Sequence, residues 1–442
     1  MSTRSRGVLN LEYSEALAWL ESLGRFGSRP GLQRIQALLE VLGHPEQGLE
    51  VVHVAGTNGK GSVCAYISSI LAAAGYRTGL YTSPHLVSYT ERLQVNGQEV
   101  PEPVLARLLT QVRQAAERVT TDTGEHPTEF EVLTAAAFLY FNVQKVDYLV
   151  LEVGLGGRLD ATNVVFPQVA VITNISHDHV GVLGTSIAAI AREKAGIIKP
   201  GRPVVMAPQE EEAAQVIVAV AKEWGSPLLS VRERVALHLV EESLQKQRFH
   251  LQLGEASYQD VVIHLLGRHQ LDNAATAILA IDVLCSLGAE VKPDALYQGL
   301  AATRWPARFE VMSSRPVVIV DGAHNLAGAQ ALARAVRDYL PGRRVVLLIG
   351  VLADKDVSSI LRELGPLGQA AVVTRPDSPR AADLESVADG LSVYVPHVVV
   401  EPDVRRAVDR ALALACRDDV VLVCGSLYLV GWARKYIGRT HI

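Results

Sequence analysis

The stretch VVHVAGTNGKGSVCAYISSIL, residues 51–71, decides the fold. An apolar, β-branched run ends in a glycine-rich turn, and Lys60 and Ser62 then open a segment with a helical apolar face. Glycines let a backbone approach phosphate closely, and a helix N-terminus offers unpaired N–H groups and the positive end of its dipole. Lys60 adds a point charge, and the Ser62 hydroxyl can help hold Mg²⁺. The generic G-x-x-x-x-G-K-[ST] pattern is not met, because Val54 stands at its first position and Gly61 separates Lys60 from Ser62. A glycine-rich turn alone can be a plain structural loop. Strand, turn, lysine, serine and helix in one order point to an ATP phosphate site.

Outward from this stretch, β-branched runs alternate with amphipathic segments, the pattern of a mostly parallel sheet flanked by helices. Strands are expected at Glu50–Val54, Thr78–Tyr81, Tyr148–Val153 and Val169–Thr173, with helices at Ser62–Ala74 and Val132–Phe141. The texture changes around 230–265, where ALHLV, RFHLQL and VVIHLL are separated by polar turns; a small antiparallel sheet is expected there. Thr303–Arg308 contains Pro306 and reads as a crossing between domains. A second series follows at Val317–Val320, Arg344–Ile349, Ala370–Thr374, Val398–Glu401 and Val420–Cys424, expected to form a doubly wound, Rossmann-like domain. The chain thus reads as an α/β protein: a P-loop domain over 1–302, a linker at 303–310 and a Rossmann-like domain over 311–442.

The strand ends carry the chemistry. Ser83 follows the second strand, in a Ser-Pro-His that alone reads as a turn. Glu152 lies in an otherwise apolar strand before a second glycine-rich loop; a buried carboxylate needs a cation or a strong partner. A salt bridge to Arg158 would serve, and so would a metal. His177, Asp178 and His179 could ligate metal, move protons or simply be a polar loop. Four strands bring Gly56–Ser62, Ser83, Glu152 and the His-Asp-His group to one edge, where open parallel sheets bind ligands. In the second series Asp321, His324 and Asn325, the loop GVLADKD and the segment CGSLYLVG also follow strands.

Composition narrows the classes. The 442 residues are 49% hydrophobic and 20% charged, the balance of a well-buried globular protein. Lys and Arg number 42 against 47 Asp and Glu, a net charge of -5, which gives no support to nucleic-acid or anionic-membrane binding. Four cysteines without a C-x-x-C pair fit a reducing compartment. The start lacks a signal-peptide run, and no apolar stretch reaches about 18 residues, so a cytoplasmic location is expected.

Taken in order, GTNGKGS at 56–62, SPH at 83–85, EVGLGGRLDATN at 152–163, REKAGI at 192–197, HQLDNA at 269–274, DGAHN at 321–325 and GSLYLVG at 425–431 resemble the bacterial folylpolyglutamate synthase/dihydrofolate synthase family of the Mur-ligase superfamily. The resemblance covers nearly the whole chain. It implies that ATP phosphorylates a carboxylate to an acyl phosphate, which the amine of L-glutamate attacks. The acceptors it implies are reduced folate and dihydropteroate, with ATP and Mg²⁺ required and a monomer as the default. It places Asn58, Gly59, Lys60, Gly61 and Ser62 on the phosphates and makes Ser83, Glu152 and His179 the Mg²⁺ ligands. Lys194 matches the lysine carbamylated in the superfamily. Asn273, Arg308 and Asp321 become ATP contacts from across the cleft, with His324 beside them. Gly31, Leu32, Arg34, Phe130, Glu131 and Asp160 fall where the pterin or pteroate would lie. Two departures concern loop shape: Ala307 stands where glycine is usual, and Leu326 where proline is common. A monofunctional folylpolyglutamate synthase is the alternative. A cell-wall amino-acid ligase of the superfamily is disfavoured, because an N-terminal domain of roughly 100 residues is expected there and the phosphate loop starts at Gly56. A switching NTPase would hydrolyse ATP without glutamate.

Overall fold

The computed structural model describes residues 11–27, 29–178 and 180–440. Its first sheet has eight strands: β1 Val51–Ala55, β2 Thr78–Tyr81, β3 Leu93–Val95, β4 Gln98–Glu99, β5 Tyr148–Glu152, β6 Val169–Ile172, β7 Val204–Met206 and β8 Leu228–Ser230. They lie in the order β4-β3-β2-β5-β1-β6-β7-β8. The strands from β2 to β8 pair in parallel, and β3 and β4 add an antiparallel edge. β1 is buried along its length because helices cover both faces. Val54 sits beside Glu152 and Ala55 beside Ile172, so the C-terminal ends of β5, β1 and β6 finish level. On one face the helix Lys60–Ala73 packs against Arg268–Ser286 and Pro293–Ala302. A Cβ on Gly299 would fall 2.4 Å from the Ile70 Cα, so this crossing brings backbone to backbone. The other face is covered by the helices Glu102–Thr123 and Glu129–Val143.

Three antiparallel strands, β9 Val235–Glu242, β10 Gln247–Leu253 and β11 Ala256–Ile263, form the small sheet expected from the sequence. Phe249, Leu251, Val261 and Ile263 point into the same core as the helix Lys60–Ala73. Residues 303–309 carry neither helix nor strand.

The third sheet has six strands, not five: β12 Glu310–Ser314, β13 Val317–Val320, β14 Val345–Ile349, β15 Gly368–Val373, β16 Val398–Val400 and β17 Val420–Cys424. Their order is β12-β13-β17-β14-β15-β16. β12 pairs antiparallel at one edge and is only partly buried, so it lacks the continuous apolar run that marks the parallel strands. The carboxyl ends of this sheet face those of the first across one cleft.

Candidate active site

The cleft encloses about 1000 Å³ and is lined from both sides, by residues 56–62, Ser83, Glu152, Asp178 and Lys194 from the first sheet's edge and by Arg308, Asp321, His324, Lys355 and Ser426 from the second. The loop after β1 is strapped to the exit of β6: the Thr57 and Asn58 N–H groups donate to the Asn174 carbonyl, and the Asn58 Nδ2 donates to Ser176 Oγ at 3.1 Å. Gly59 has φ of 85°, and a Cβ there would lie 2.4 Å from Asn273 Oδ1. Asn273 donates to Gln270, and Gln270 Nε2 donates to Ser62 Oγ at 3.3 Å, so the helix Arg268–Ser286 buttresses the loop. Trp305 closes over Gly61, where an added Cβ would fall 2.8 Å from its ring nitrogen. Gln270 stands within the quoted HQLDNA and Trp305 within the 303–308 crossing, yet only the packing shows that they touch the loop.

Glu152 is 4% exposed. The Arg158 salt bridge that would have satisfied it is not formed, since Arg158 pairs with Glu193 at 2.9 Å. Glu152 accepts one hydrogen bond, from the Ser83 N–H at 3.1 Å, and has no ion pair within 4 Å among the described residues. Burial raises its pKa, against the opposing pull of Lys60, the Ser83 N–H, Arg308 and Arg92. A buried carboxylate that accepts a single hydrogen bond keeps oxygen lone pairs uncommitted, the ligand type that a hard divalent cation takes. His179 lies outside the described residues.

Lys194 is 5% exposed and donates to the Gly56 carbonyl at 2.7 Å. Burial, reinforced by Lys60, lowers its pKa to about 7, against Asp178 and Asp160. Such an amine is substantially neutral near pH 7 and can act as a nucleophile. Across the cleft, Asp321 accepts from the N–H groups of Phe309 and Ala323 at 2.7 and 2.8 Å. Burial lowers the Arg308 pKa and raises that of Asp321; each partially offsets the other's shift by charge attraction. His324 sets Nδ1 on the Gly322 carbonyl at 2.8 Å, and burial, with Lys355, lowers its pKa to about 4. The carbonyl accepts from the Nδ1–H group, and Nε2 lies 3.9 Å from Asp178 Oδ2. Ala307 takes φ of 59°, the left-handed value that explains a usual glycine. Leu326 occupies the first turn of the helix Leu326–Tyr339, where proline is favoured but not required.

The two sides touch directly. Lys355 Nζ meets Asp178 Oδ1 at 2.7 Å, and both side chains are about nine-tenths buried. Asn325 Nδ2 lies 3.1 Å from Asn58 Oδ1 and 3.2 Å from Asp178 Oδ2, so one amide bridges the phosphate loop and the β6 exit. Sequence reading left Asp178 undecided and named Lys355 only as part of its loop, because partners 177 residues apart carry no local signal. Of the residues expected around a pterin, Gly31, Phe130, Glu131 and Asp160 line the cleft. Leu32 and Arg34 are not on its wall; Arg34 sits behind it, paired with Glu131 at 3.2 Å and Glu125 at 3.3 Å. Asp160 spends both oxygens on the Leu155 N–H and on Thr162.

A phosphate-type loop and a buried carboxylate facing a cationic second sheet across a shared cleft define an ATP-dependent ligase. The family comparisons agree: the Mur ligase middle domain matches residues 54–281, and the Mur ligase, glutamate ligase domain matches 307–427. The chain belongs to the Mur ligase family, in its dihydrofolate synthase/folylpolyglutamate synthase branch. It is 37% identical over 426 residues to the dihydrofolate synthase/folylpolyglutamate synthase of Bacillus subtilis, covering 96% of this chain and 98% of the relative. Folylpolyglutamate synthase of Mycobacterium tuberculosis, solved with ADP and AMPPCP, superposes with a TM-score of 0.89 at 35% identity, over 97% of this chain and 99% of that one. Escherichia coli FolC, solved with DHPP and ADP, gives 0.87 at 34% identity, over 97% and 98%.

Proposed function

We propose that this enzyme uses ATP to join L-glutamate to a folate-type acid, taking reduced folate and dihydropteroate as acceptors. The observation that carries the reading is Glu152, a buried carboxylate with one hydrogen bond, facing Lys60 and Arg308 where the two sheets' carboxyl ends meet. In this reading the loop from Asn58 to Ser62 holds the triphosphate through its N–H groups and Lys60, while Asn273, Arg308 and Asp321 contact ATP from the far side. Ser83, Glu152 and His179 would hold Mg²⁺, which when bound offsets phosphate charge during transfer.

Gly31, Phe130, Glu131 and Asp160 form the wall against which the acceptor's ring system lies, with Leu32 and Arg34 supporting it from behind. Phe130 presses on Gly154, whose added Cβ would fall 2.4 Å from the ring, so the aromatic wall is held from the backbone side. Burial of this wall excludes water that would hydrolyse an activated carboxylate. His324, anchored on the Gly322 carbonyl with Nε2 3.9 Å from Asp178 Oδ2, stands beside the ATP contacts and would help to orient the incoming glutamate. Lys194, once carbamylated, becomes an anion beside the Gly56 carbonyl and adds to the cation-holding charge. Residues 1–302 and 311–442 act as two domains that meet over the substrates, and the enzyme works as a cytoplasmic monomer.

The test is to incubate purified protein with ATP, Mg²⁺, glutamate and each acceptor separately, and follow products by mass. Addition of one glutamate residue to each is expected. Product from folate alone would establish the monofunctional enzyme, and product from neither would refute the reading.

A further inference from the structure

One cationic group on the cleft wall is left without work by the roles above. Residues 83–92 form a compact loop around the Glu91 carboxylate, which accepts from the N–H groups of Leu86, Val87 and Ser88 at 2.7 to 2.8 Å. The helix Leu427–Thr440 locks the loop from outside, since a Cβ on Gly431 would fall 2.2 Å from the Leu86 carbonyl oxygen. At the end of this rigid loop Arg92 is fixed twice. Its Nε donates to His85 Nδ1 at 2.9 Å, and its guanidinium lies over the Tyr89 ring, 5.1 Å from the centroid. His85 packs on the same ring at 4.3 Å, and Tyr89 OH donates to Glu129 at 2.9 Å. Among the described residues no acceptor is hydrogen-bonded to the two terminal nitrogens of Arg92, and the residue lines the cleft beside Ser83 and Glu152.

An arginine held by Nε and by its face presents its terminal fork, the geometry that grips a carboxylate through both oxygens. The carboxylate that attacks phosphorus cannot be gripped in this way, because both of its oxygens would be engaged and its nucleophilicity quenched. The fork therefore suits a second carboxylate that does not react. Of the two acceptors in the reading above, on which this inference rests, only the glutamate-tailed one carries it: the α-carboxylate of its terminal glutamate, beside the γ-carboxylate that is extended. Dihydropteroate has a single carboxylate. We infer that Arg92 is the receptor for the non-reacting α-carboxylate of a glutamate-tailed acceptor, and that His85 is the positioning residue that aims it.

The experiment compares kcat/KM for two acceptors that differ only in this group, a folate with a terminal glutamate and the analogue ending in 4-aminobutyrate. The parent enzyme should prefer the glutamate-tailed acceptor by about 100-fold, the scale of a lost charge-assisted pair. Arg92→Ala and Arg92→Lys should collapse the preference towards unity, mainly through KM for the glutamate-tailed acceptor. His85→Phe should cut it by about tenfold, and His85→Asn, which can still accept from Nε, should restore most of it. ADP binding followed by thermal shift confirms that each variant is folded. An unchanged preference in the Arg92 variants, or equal losses on both acceptors, would overturn the assignment. Absence of product from either acceptor in the parent enzyme would instead overturn the reading of function.

Discussion

Replacing Lys194 with methionine isolates the cost of burying an ammonium group in this fold. The side chain is 5% exposed, and its pKa falls from the lysine range to about 7 chiefly through burial. In the unfolded chain the same group titrates near 10.4. Between these values the unfolded chain carries a proton that the folded chain has lost, so stability rises with pH across the window. The penalty is fully present below about 7 and fades towards 10.4. Methionine has similar length and no charge, so the variant escapes the penalty. Linkage gives it an advantage over the parent of about 4–5 kcal/mol at pH 6 and about 2 kcal/mol at pH 9. Loss of the bond to the Gly56 carbonyl subtracts about 1 kcal/mol at every pH. Urea unfolding of both proteins at pH 6, 7.5 and 9, in CO₂-free buffer, measures the difference. A difference that stays flat with pH, or grows as pH rises, would refute the reasoning. Bicarbonate should shrink the parent's pH dependence, because a carbamylated Lys194 no longer titrates as an ammonium.

Two further outcomes follow from geometry. Ala307→Gly should stabilise the protein by about 0.5–1 kcal/mol, seen as a higher melting temperature, because φ of 59° strains alanine more than it restricts glycine. Lys355→Ala removes the cation from a buried pair and should cost about 3 kcal/mol, with faster amide exchange on both walls of the cleft. Unchanged exchange in that variant would mean that the Asp178–Lys355 contact does not hold the two sheets together.

Much of the fold was legible because its elements are written locally. A parallel strand buried on both faces is a continuous β-branched run, so Val317–Val320 and Val420–Cys424 could be delimited residue for residue, and β1 to within one. The half-exposed edge strand Glu310–Ser314 was missed because it has no such run, and β3, β4, β7 and β8 were missed because two or three residues are too few to show one. The same locality made the phosphate loop readable, since its glycines, lysine and helix start lie within a dozen residues. Ser83, Glu152 and Asp321 could be assigned to strand ends because strand ends follow from strand pattern.

What the sequence by itself determined is thus most of the longer strands, the loop at Gly56–Ser62 and the family that those motifs imply. Tertiary structure alone decided which groups meet. It sent Arg158 to Glu193 and left Glu152 with a single donor. It placed Lys355 on Asp178 and Asn325 on Asn58, and set Arg92 against His85 on the cleft wall. It also buried Lys194 deeply enough to bring its amine near neutrality. The reason is physical: hydrophobic periodicity is set by neighbours along the chain, whereas desolvation and charge pairing depend on groups brought close only when two sheets face one another.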